Sequence, residues 1–371
     1  MKKNRVFSRL ILLSSLFILL TACASGESNK AENTTETEPK TEQNSKVAVS
    51  IEGGSYLIPD GESVEGDTGF LALNIKVKNK TDKKLDVTSS DFSLYDEDGE
   101  MVASEHVYDS PGKFKLLSSE SLSEDKSFTK PLVFKVDKKA DYELHYEPVY
   151  SSDEEEKGIK INVNTKNYPD DAKVIEELMD QYIATVFYAS DVKDSKEDSK
   201  LKLSNDLEEE QKAFKEESIN LFKKGFTKHN VSTEEAETFI AQVQASNREK
   251  AKVSYRFKEF FPETATIYVR PETVLLKKED KDAIVKQFVD ENKGKYSDYT
   301  TAQREAEKYL VQELPIKIKD ISISTDEDME GDGYRVNLEK KDGTWAINSA
   351  NDSQNYTFKS LKNTFRCGLH E

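Results

Sequence analysis

Cysteine is almost absent from this 371-residue chain, which contains only Cys23 and Cys367. Secreted domains with small cores depend on several disulfides, so a chain with two cysteines must be held together by its apolar cores. A length of 371 residues leaves room for such cores and favours two domains. A small scaffold stapled by disulfides is therefore excluded.

Histidine is also scarce, and familiar catalytic motifs are missing. The four histidines are far apart and form no ligand cluster: His106, His145, His229 and His370. Zinc sites need clustered ligands, so no metal is predicted. The sequence lacks a Gly-rich phosphate loop, a Gly-x-Ser-x-Gly elbow and a His-Glu-x-x-His motif. These absences predict no cofactor and favour a non-enzymatic protein, although an active site can also assemble from scattered residues.

Long apolar runs are lacking as well. The apolar segment at residues 10–20 has eleven residues and is interrupted by Ser14 and Ser15. A helix needs about 20 residues to span a bilayer, so this segment is too short. Its N-terminal flank is basic because of Lys2, Lys3, Arg5 and Arg9. The pattern predicts a cleaved signal peptide over residues 1–22.

The residues after the apolar segment are Leu20, Thr21, Ala22 and Cys23, which resemble a lipobox. Such a motif implies cleavage before the cysteine and a thioether-linked diacylglycerol on Cys23, with fatty acids such as palmitate. Two or three acyl chains anchor a protein stably to a membrane. We therefore expect a lipoprotein on the extracytoplasmic face of the cell membrane. The alternative is a buried cysteine at the end of an apolar segment.

The charge balance is strongly acidic. The chain has 54 Lys and Arg against 71 Asp and Glu, a formal net charge of −17. Residues 1–22 hold four positive charges and no negative one, so their removal would change −17 to −21. Such a surface argues against nucleic acid and against peripheral binding to anionic lipid. Only 8 of the basic residues are arginines, which favours an AT-rich genome and a Gram-positive host.

Two folded regions are expected after a disordered acidic tether at residues 23–46, which contains almost no apolar residue. Residues 47–150 read as short strands separated by turns. Leu71, Leu73, Ile75 and Val77 alternate with Ala72 and polar residues, the period of a half-buried strand. About seven such strands predict a β-sandwich.

Four segments of this region carry a family resemblance: residues 69–79, 91–96, 131–134 and 142–144. They resemble immunoglobulin-like domains of unknown function that are common in Gram-positive lipoproteins and similar to a mycobacterial immunoprotective extracellular antigen. The resemblance implies an immunoglobulin-like sandwich. It carries no catalytic residues to transfer.

Residues 165–366 read as an α+β domain. Helices are predicted from the opening residues 169–171 through 187, at residues 205–224, from 233, and at residues 278–291, 301–313 and 358–365. Strands are predicted at residues 251–257, 264–269, 316–323, 334–338 and 345–347. Residues 340–347 resemble the final hairpin of the nuclear-transport-factor-2-like cone fold. If the domain is such a cone, aromatic side chains could line an apolar pocket at its mouth, the alternative being core packing: Tyr255, Phe257, Phe260, Phe261 and Tyr268.

The acidic segment 326–333 has oxygen ligands at alternating positions before a glycine turn, as in a calcium loop. Glu330 and Asn337 do not fit that pattern, and the flanks read as strands, so an acidic hairpin tip is favoured. Cys367 is interpreted as a stray thiol with access to intermolecular pairing.

The leading hypothesis is a non-catalytic binding or interaction module at the cell envelope. Its partners would be the membrane, through Cys23, and an envelope protein or glycan of unknown identity. One alternative is an envelope enzyme with a dispersed site in the C-terminal domain, which a preformed pocket with two carboxylates, or with a carboxylate and a histidine, would favour. The other is a small-molecule carrier for a transporter, which requires a cleft between the domains.

Overall fold

The structure, a computed structural model, describes residues 40–62, 66–148, 157–190, 202–350 and 353–370. These residues belong to one compact unit. Its N-terminal part is built of strands up to Asn164, and its C-terminal part combines helices with a sheet from Ala172 onward. The predicted change from a β-rich region to an α+β region is confirmed. The predicted signal peptide and Cys23 lie outside the described residues.

In the described N-terminal part, ten strands form two four-stranded sheets and one strand pair, all antiparallel. The strands are β1 (Lys40–Gln43), β2 (Val47–Leu57), β3 (Thr68–Asn79), β4 (Leu85–Thr88), β5 (Phe92–Tyr95), β6 (Met101–Val102), β7 (Ser119–Leu122), β8 (Ser127–Asp137), β9 (Asp141–Tyr146) and β10 (Ile159–Asn164). One sheet has the order β1-β2-β3-β8 and the other β10-β9-β5-β6, while β4 pairs with β7.

The two larger sheets bury a common apolar core, as expected for sheets packed face to face. Strand β3 contributes the alternating residues Leu71, Leu73, Ile75 and Val77, all fully buried. The facing sheet contributes Phe92, Leu94, Leu144 and Ile161, among others. The period-2 pattern of β3 therefore marks the inner face of this two-sheet part correctly.

The opposite face of β3 is also covered near its start, where the sequence pattern predicted an exposed side. Phe70 and Ala72 are buried there together with Val133 of β8 and Phe261 of the C-terminal part. We call this set, with Leu57 and Val107, the junction cluster. The C-terminal part covers this face, and a pattern within one strand cannot report such tertiary burial.

The C-terminal part contains a five-stranded sheet and six α-helices among the described residues. The helices are α1 (Ala172–Tyr182), α2 (Leu207–Lys224), α3 (Thr233–Lys250), α4 (Lys278–Glu291), α5 (Tyr299–Ile318) and α6 (Tyr356–Phe365). The strands are β11 (Lys252–Phe260), β12 (Thr264–Val274), β13 (Ile323–Ser324), β14 (Tyr334–Lys341) and β15 (Thr344–Ile347). Their order is β11-β12-β14-β15, with β13 beside the end of β12. No described helix has the length and apolar content needed to cross a membrane.

Helix α1 and helix α6 pack on one face of this sheet. Ile175 and Phe358 from these helices share a buried cluster with Ile267, Val336 and Leu338 of the strands. A separate apolar cluster joins α2, α3, α4 and α5. One face of the sheet is therefore closed by helices, which leaves the other face for polar side chains.

Short polar side chains fix where several helices begin. The Asp206 carboxylate accepts the amide of Glu209 at the start of α2, 3.1 Å away. Ser232 and Glu235 form a capping box at the start of α3, and Asp298 accepts the amide of Thr301 in α5 at 2.7 Å. Such caps satisfy amides that have no partner within the helix. The predicted positions of these helices agree with these caps.

Two predicted boundaries differ from the structure. Residues 40–43 were expected in the disordered tether, yet they form β1, whose backbone pairs with residues 48–51 of β2. All four β1 side chains are exposed and the strand is defined by its backbone pairing with β2, so side-chain composition does not report it. The two-sheet part also extends past residue 150, because β10 pairs with β9 along its whole length.

The strand predicted at residues 316–323 is largely wrong. Helix α5 continues through Pro315 to Ile318, and only Ile323 and Ser324 form a strand. Val311, Leu314 and Ile318 are buried at helical spacing, whereas Ile316 is 58% exposed. The apparent alternation of isoleucines was a coincidence of helical periodicity.

The N-terminal and C-terminal parts are joined by backbone pairing. The amide of Ile58 donates to the carbonyl of Phe260, and the amide of Phe260 donates back, both at 2.8 Å. The amide of Tyr56 donates to the carbonyl of Pro169 at 3.0 Å. Together with the junction cluster, these bonds hold the C-terminal end of β2 against β11.

Candidate binding groove

The open face of the five-stranded sheet in the C-terminal part carries a row of polar side chains. In β14, Tyr334, Val336 and Leu338 point to the helices and are buried, so Arg335, Asn337 and Glu339 occupy the other face. They lie opposite Tyr268, Thr266 and Thr264 of β12, respectively. A period of two residues thus separates the apolar core from a polar surface on the same strand.

A β-bulge on the neighbouring strand adds an acidic side chain to this face. The β11–β12 register shifts between Phe257 and Glu259, so Lys258 is the extra residue. Glu259 then lies opposite Thr266, and its Oε1 accepts the Thr266 hydroxyl at 3.2 Å. Bulges re-aim side chains in this way. The Glu259 side chain is 1% exposed despite its charge.

A loop from the two-sheet part closes one side of the polar face. The Asp109 carboxylate accepts the amides of Lys113 at 3.0 Å and Phe114 at 2.8 Å, which folds the loop back on itself. The Thr264 hydroxyl donates to the same carboxylate at 3.3 Å. The amide of Ser110 donates to Glu259 at 2.9 Å. Two buried carboxylates thus attach the loop to the sheet.

Loop and sheet together enclose a cavity of about 850 Å³, which we call the groove. Its lining comprises Ser110, Pro111, Lys113, Lys258, Thr264, Ala265, Thr266, Arg335, Asn337, Leu338, Glu339, Lys341, Ala346, Ile347, Asn348, Ser349 and Ala350. A cavity of this size accommodates a small molecule or a short chain segment.

The groove is basic although the chain is acidic. Its lining contains the cations Lys113, Lys258, Arg335 and Lys341, but only one carboxylate, that of Glu339. The Lys113 ammonium pairs with Glu339, and the Lys341 ammonium lies 3.7 Å from the same side chain. These pairs lower the pKa of Glu339, the hydrogen bond from Lys113 contributing most. Lys258 pairs with Asp60 at 2.5 Å.

Arg335 differs from the three lysines because its guanidinium has no ion-pair partner among the described residues. Among the described residues, no hydrogen bond or ion pair involves the Arg335 side chain, and its Nε is buried. The side-chain amides of Asn337 and Asn348 also line the groove, Asn337 accepting the Thr266 hydroxyl through its Oδ1 at 3.2 Å. The groove therefore presents hydrogen-bond donors to any molecule that enters it.

A second cavity, of about 470 Å³, lies on the other side of the Asp109 loop. Its lining includes His106, Glu105, Tyr108, Asp60 and Glu259. The Tyr108 side chain is 70% exposed and its ring lies edge-on to that of His106 at 5.6 Å. This cavity combines carboxylates with a histidine, while Glu259 and Asp109 are already engaged by amides and hydroxyls.

The five aromatics predicted at a cone mouth occupy three different surroundings. Tyr255, Phe257 and Phe260 pack with the core under the helices. Phe261 belongs to the junction cluster, and Tyr268 lies on the polar face with the guanidinium of Arg256 5.1 Å from its ring centre. The Tyr255 hydroxyl donates to Asp180 of α1 at 2.5 Å, and burial raises its pKa. The structure brings three of the five together in a core, and not all five around one cavity.

The predicted lipidation site and its lipobox, Leu20 to Cys23, lie outside the described residues. Cys367 is 2% exposed, and burial raises the pKa of its thiol to about 12. Such a thiol is inaccessible in the folded chain, contrary to the interpretation that it is available for intermolecular pairing.

The acidic segment 326–333 is not a hairpin tip. Strands β13 and β14 both pair with β12 and not with each other, so the segment interrupts one edge of the sheet. Asp326 accepts the hydroxyls of Tyr334 at 2.9 Å and Thr364 at 3.1 Å. In the described ranges, no group of three or more His, Cys, Asp or Glu side chains could hold a metal ion.

Sequence reasoning did not find the groove. The alternation of Tyr334, Val336 and Leu338 predicted a strand, but Arg335, Asn337 and Glu339 were not predicted as a site. The wall supplied by the Asp109 loop comes from more than 140 residues earlier in the chain, and the bulge at Lys258 has no sequence signal.

This chain is similar to known proteins both in sequence and in fold. Residues 43–161 match the family described as a domain of unknown function, DUF4352. The chain is 26% identical over 333 residues to the uncharacterized lipoprotein YcdA of Bacillus subtilis, covering 85% of this chain and 88% of that protein.

The crystal structure of YcdA from Bacillus subtilis superimposes with a TM-score of 0.64 at 20% identity, over 87% of this chain and 97% of that one. The yjhA protein of the same species matches 29% of this chain and 76% of its own chain at 18% identity. Its TM-score of 0.23 is too low to indicate a shared fold. The chain is therefore similar in fold, over both of its parts, to an uncharacterized Bacillus lipoprotein.

Proposed function

We propose that this chain is a lipoprotein anchored to the extracytoplasmic face of the cell membrane through Cys23. The lipobox Leu20-Thr21-Ala22-Cys23 and the basic, apolar segment before it support the proposal. The similarity to a Bacillus protein named as a lipoprotein supports it independently. Covalently attached lipid can hold the protein on the membrane without a basic patch, which agrees with its acidic composition.

Replacement of Cys23 tests the anchor. Cys23→Ala should abolish incorporation of labelled palmitate and release the protein from the membrane fraction. Cys367→Ala is the matched control, since it removes the only other cysteine and should leave labelling unchanged. Retention of Cys23→Ala protein on membranes after a carbonate wash would overturn the proposal.

We further propose that the exposed part is a non-catalytic binding module that holds a polar ligand from the envelope, a protein segment or a glycan, in the groove. The observation that carries this proposal is an open cavity of about 850 Å³ lined by hydrogen-bond donors. The buried carboxylates of Asp109 and Glu259, which lie behind the groove lining, already accept amides and hydroxyls and hold the loop to the sheet. The position of the groove against a loop of the two-sheet part is also compatible with a carrier that delivers a small molecule to a transporter.

Steric blocking of the groove tests the binding function. Asn348 is exposed and lines the groove, so Asn348→Trp should fill it without disturbing a core. Ser254→Trp is the control, because Ser254 is exposed on β11 of the same sheet and does not line the groove. Partners captured from envelope extracts by the wild type and Ser254→Trp should be lost with Asn348→Trp. Equal capture by both tryptophan variants would contradict the proposal.

An envelope enzyme is the second candidate, favoured by the smaller cavity with His106 beside Glu105 and Asp60. Histidine and carboxylate side chains are the groups that most often transfer protons in general acid–base catalysis. Hydrolysis of envelope glycans or ester substrates that is lost in His106→Ala, with folding retained, would establish this function in place of simple binding.

For ancestry, we propose that the two-sheet part is an immunoglobulin-like domain similar to the mycobacterial antigen, and that it is followed by a nuclear-transport-factor-2-like cone at residues 165–366. The stacked antiparallel sheets support the first assignment. The helix-covered sheet that closes with the β14–β15 hairpin supports the second. Neither assignment adds a catalytic residue.

A further inference from the structure

We propose that Arg335 is the anchor of an oxyanion subsite in the groove, so that the ligand carries a carboxylate or phosphate group. The inference rests on the proposed binding function and specifies the chemistry of its ligand. It starts from a charge imbalance: four cations and one carboxylate line the groove of a chain whose formal net charge is −17. A locally basic surface on an acidic protein attracts anionic ligands and has no electrostatic preference for neutral ones.

Within that lining, the groups differ in how far their charge is already compensated. Lys113 and Lys341 share Glu339, and Lys258 pairs with Asp60. The Arg335 side chain has no such partner in the described ranges. Its Nε is buried, so water cannot fully replace a missing acceptor there. A donor left in this state costs free energy, which an acceptor on the ligand would recover.

The chemistry of guanidinium determines which acceptor fits. Arginine presents its N–H donors in a planar fork that matches two oxygens of a carboxylate or phosphate. The Asn337 side chain follows Arg335 by two residues on the same face of β14, which places it roughly 7 Å along the strand. Asn348 adds a further amide across the sheet, since its backbone amide donates to the Asn337 carbonyl at 2.9 Å. These amides can bind the remaining polar groups of the same ligand.

The test observes the arginine side chains directly. After removal of residues 1–22 the chain retains six arginines, so ¹⁵N-arginine labelling gives at most six Nε–H resonances. The chain with Cys23→Ser, which cannot be lipidated, is titrated separately with inorganic phosphate, with citrate and with neutral glucose. We expect a saturable shift of the Arg335 resonance with one or both anions and none with glucose. The comparison of phosphate with citrate identifies the oxyanion.

Substitutions measure the contribution by calorimetry. Arg335→Gln should lower anion affinity at least about tenfold, because charge-assisted hydrogen bonds are lost. Arg256→Gln is the matched control on the same sheet face, since Arg256 already pairs with Asp332 and does not line the groove. Glu339→Gln should raise affinity a few-fold by removing the competing carboxylate. It keeps the proposal testable if Arg335→Gln fails to fold.

Uniform shifts of all arginine resonances, or unchanged affinity in both Arg335→Gln and Glu339→Gln, would overturn the oxyanion subsite. The binding function fails separately. If Asn348→Trp loses the envelope ligand while Arg335→Gln keeps it, the groove binds and Arg335 is not its anchor. If Asn348→Trp keeps the ligand, the groove itself is not the binding site.

Discussion

Arg366 and Glu259 are the most deeply buried charged residues of the described C-terminal part, and the partners of Arg366 engage two of its three guanidinium nitrogens. Arg366 is 1% exposed, with its Nε donating to the Ser218 hydroxyl at 3.0 Å and an Nη pairing with Glu217. The guanidinium also lies over the Phe214 ring, 4.7 Å from its centre. Lys362 approaches the same Glu217 carboxylate at 3.3 Å. One glutamate therefore compensates two cations at the packing of α6 against α2.

The titration of Glu217 follows from this arrangement. Burial pushes its pKa upward, but the hydrogen bond from Arg366 and the charges of Arg366 and Lys362 outweigh burial and hold the pKa below its ordinary value. A lowered pKa in the folded chain means that the carboxylate stabilises the fold above its unfolded pKa of ~4.3. That contribution is lost as pH falls through the folded pKa.

Glu217→Gln should therefore lower the free energy of unfolding at pH 7 by roughly 2–3 kcal/mol, because it leaves a buried guanidinium without its counter-charge. The difference from wild type should narrow as pH falls below the ordinary glutamate pKa of ~4.3 and through the lower pKa of folded Glu217, where its carboxylate becomes protonated. Urea unfolding of the variant and of the wild type, at pH 7 and at acidic pH, measures the difference in their free energies of unfolding. Glu216→Gln, one residue away and exposed, should change stability by less than about 0.5 kcal/mol. A loss that does not depend on pH would contradict the electrostatic explanation.

Among the elements, α5 shows most clearly where periodicity misleads. Ile316 and Ile318 are two residues apart, as in a strand, yet only Ile318 is buried and Ile316 is 58% exposed. Pro315 normally disfavours a helix interior because it lacks an amide proton and crowds the preceding turn. The burial of Val311, Leu314 and Ile318 against α3 and α4 outweighs this preference.

This pair of isoleucines gives an internal test of the helix. Ile318→Ala should destabilise the chain by about 2–4 kcal/mol through a cavity in the core. Ile316→Ala should have almost no effect. Thermal and urea unfolding of the two variants measure the difference, and equal losses would mean that the segment is not helical as described.

The elements that sequence predicted well are those with a local signal. Helix α4 was predicted at its observed bounds, and α2 and α3 begin where Asp206 and Ser232 cap them. The elements that were missed lack such a signal. Strand β1 has four exposed polar side chains, and the burial of Ala72 is imposed by a partner distant in sequence. Local pattern specifies local structure, and tertiary contact decides the rest.

For the molecule as a whole, the junction cluster determines whether its two parts unfold together. Phe261 is 1% exposed and lies between β3, β8 and the Phe114 ring, whose centre is 5.1 Å away. The groove depends on the same junction, because its loop wall belongs to one part and its floor to the other. Sequence could predict each part separately, but not the site that exists only when both are joined.

Phe261→Ala should cost about 3–5 kcal/mol and separate a single calorimetric transition into two. Phe239→Ala removes an equally buried ring from the helical cluster, so it should cost a similar amount while the two-sheet part keeps its coupling to the junction. Differential scanning calorimetry distinguishes these outcomes. One unchanged transition in Phe261→Ala would show that the junction does not couple the parts.

Strand β1 also has a mechanical consequence. Under the proposed anchoring at Cys23, any pull between the membrane and a ligand in the groove reaches the fold through Lys40. The pairing of β1 with β2 involves four residues whose side chains bury no apolar surface. A tensile load would peel this strand first, releasing roughly 14 Å of chain while the core that begins at Val47 stays closed. Under that anchoring, β1 would separate from β2 before the part of the molecule that holds the ligand unfolds.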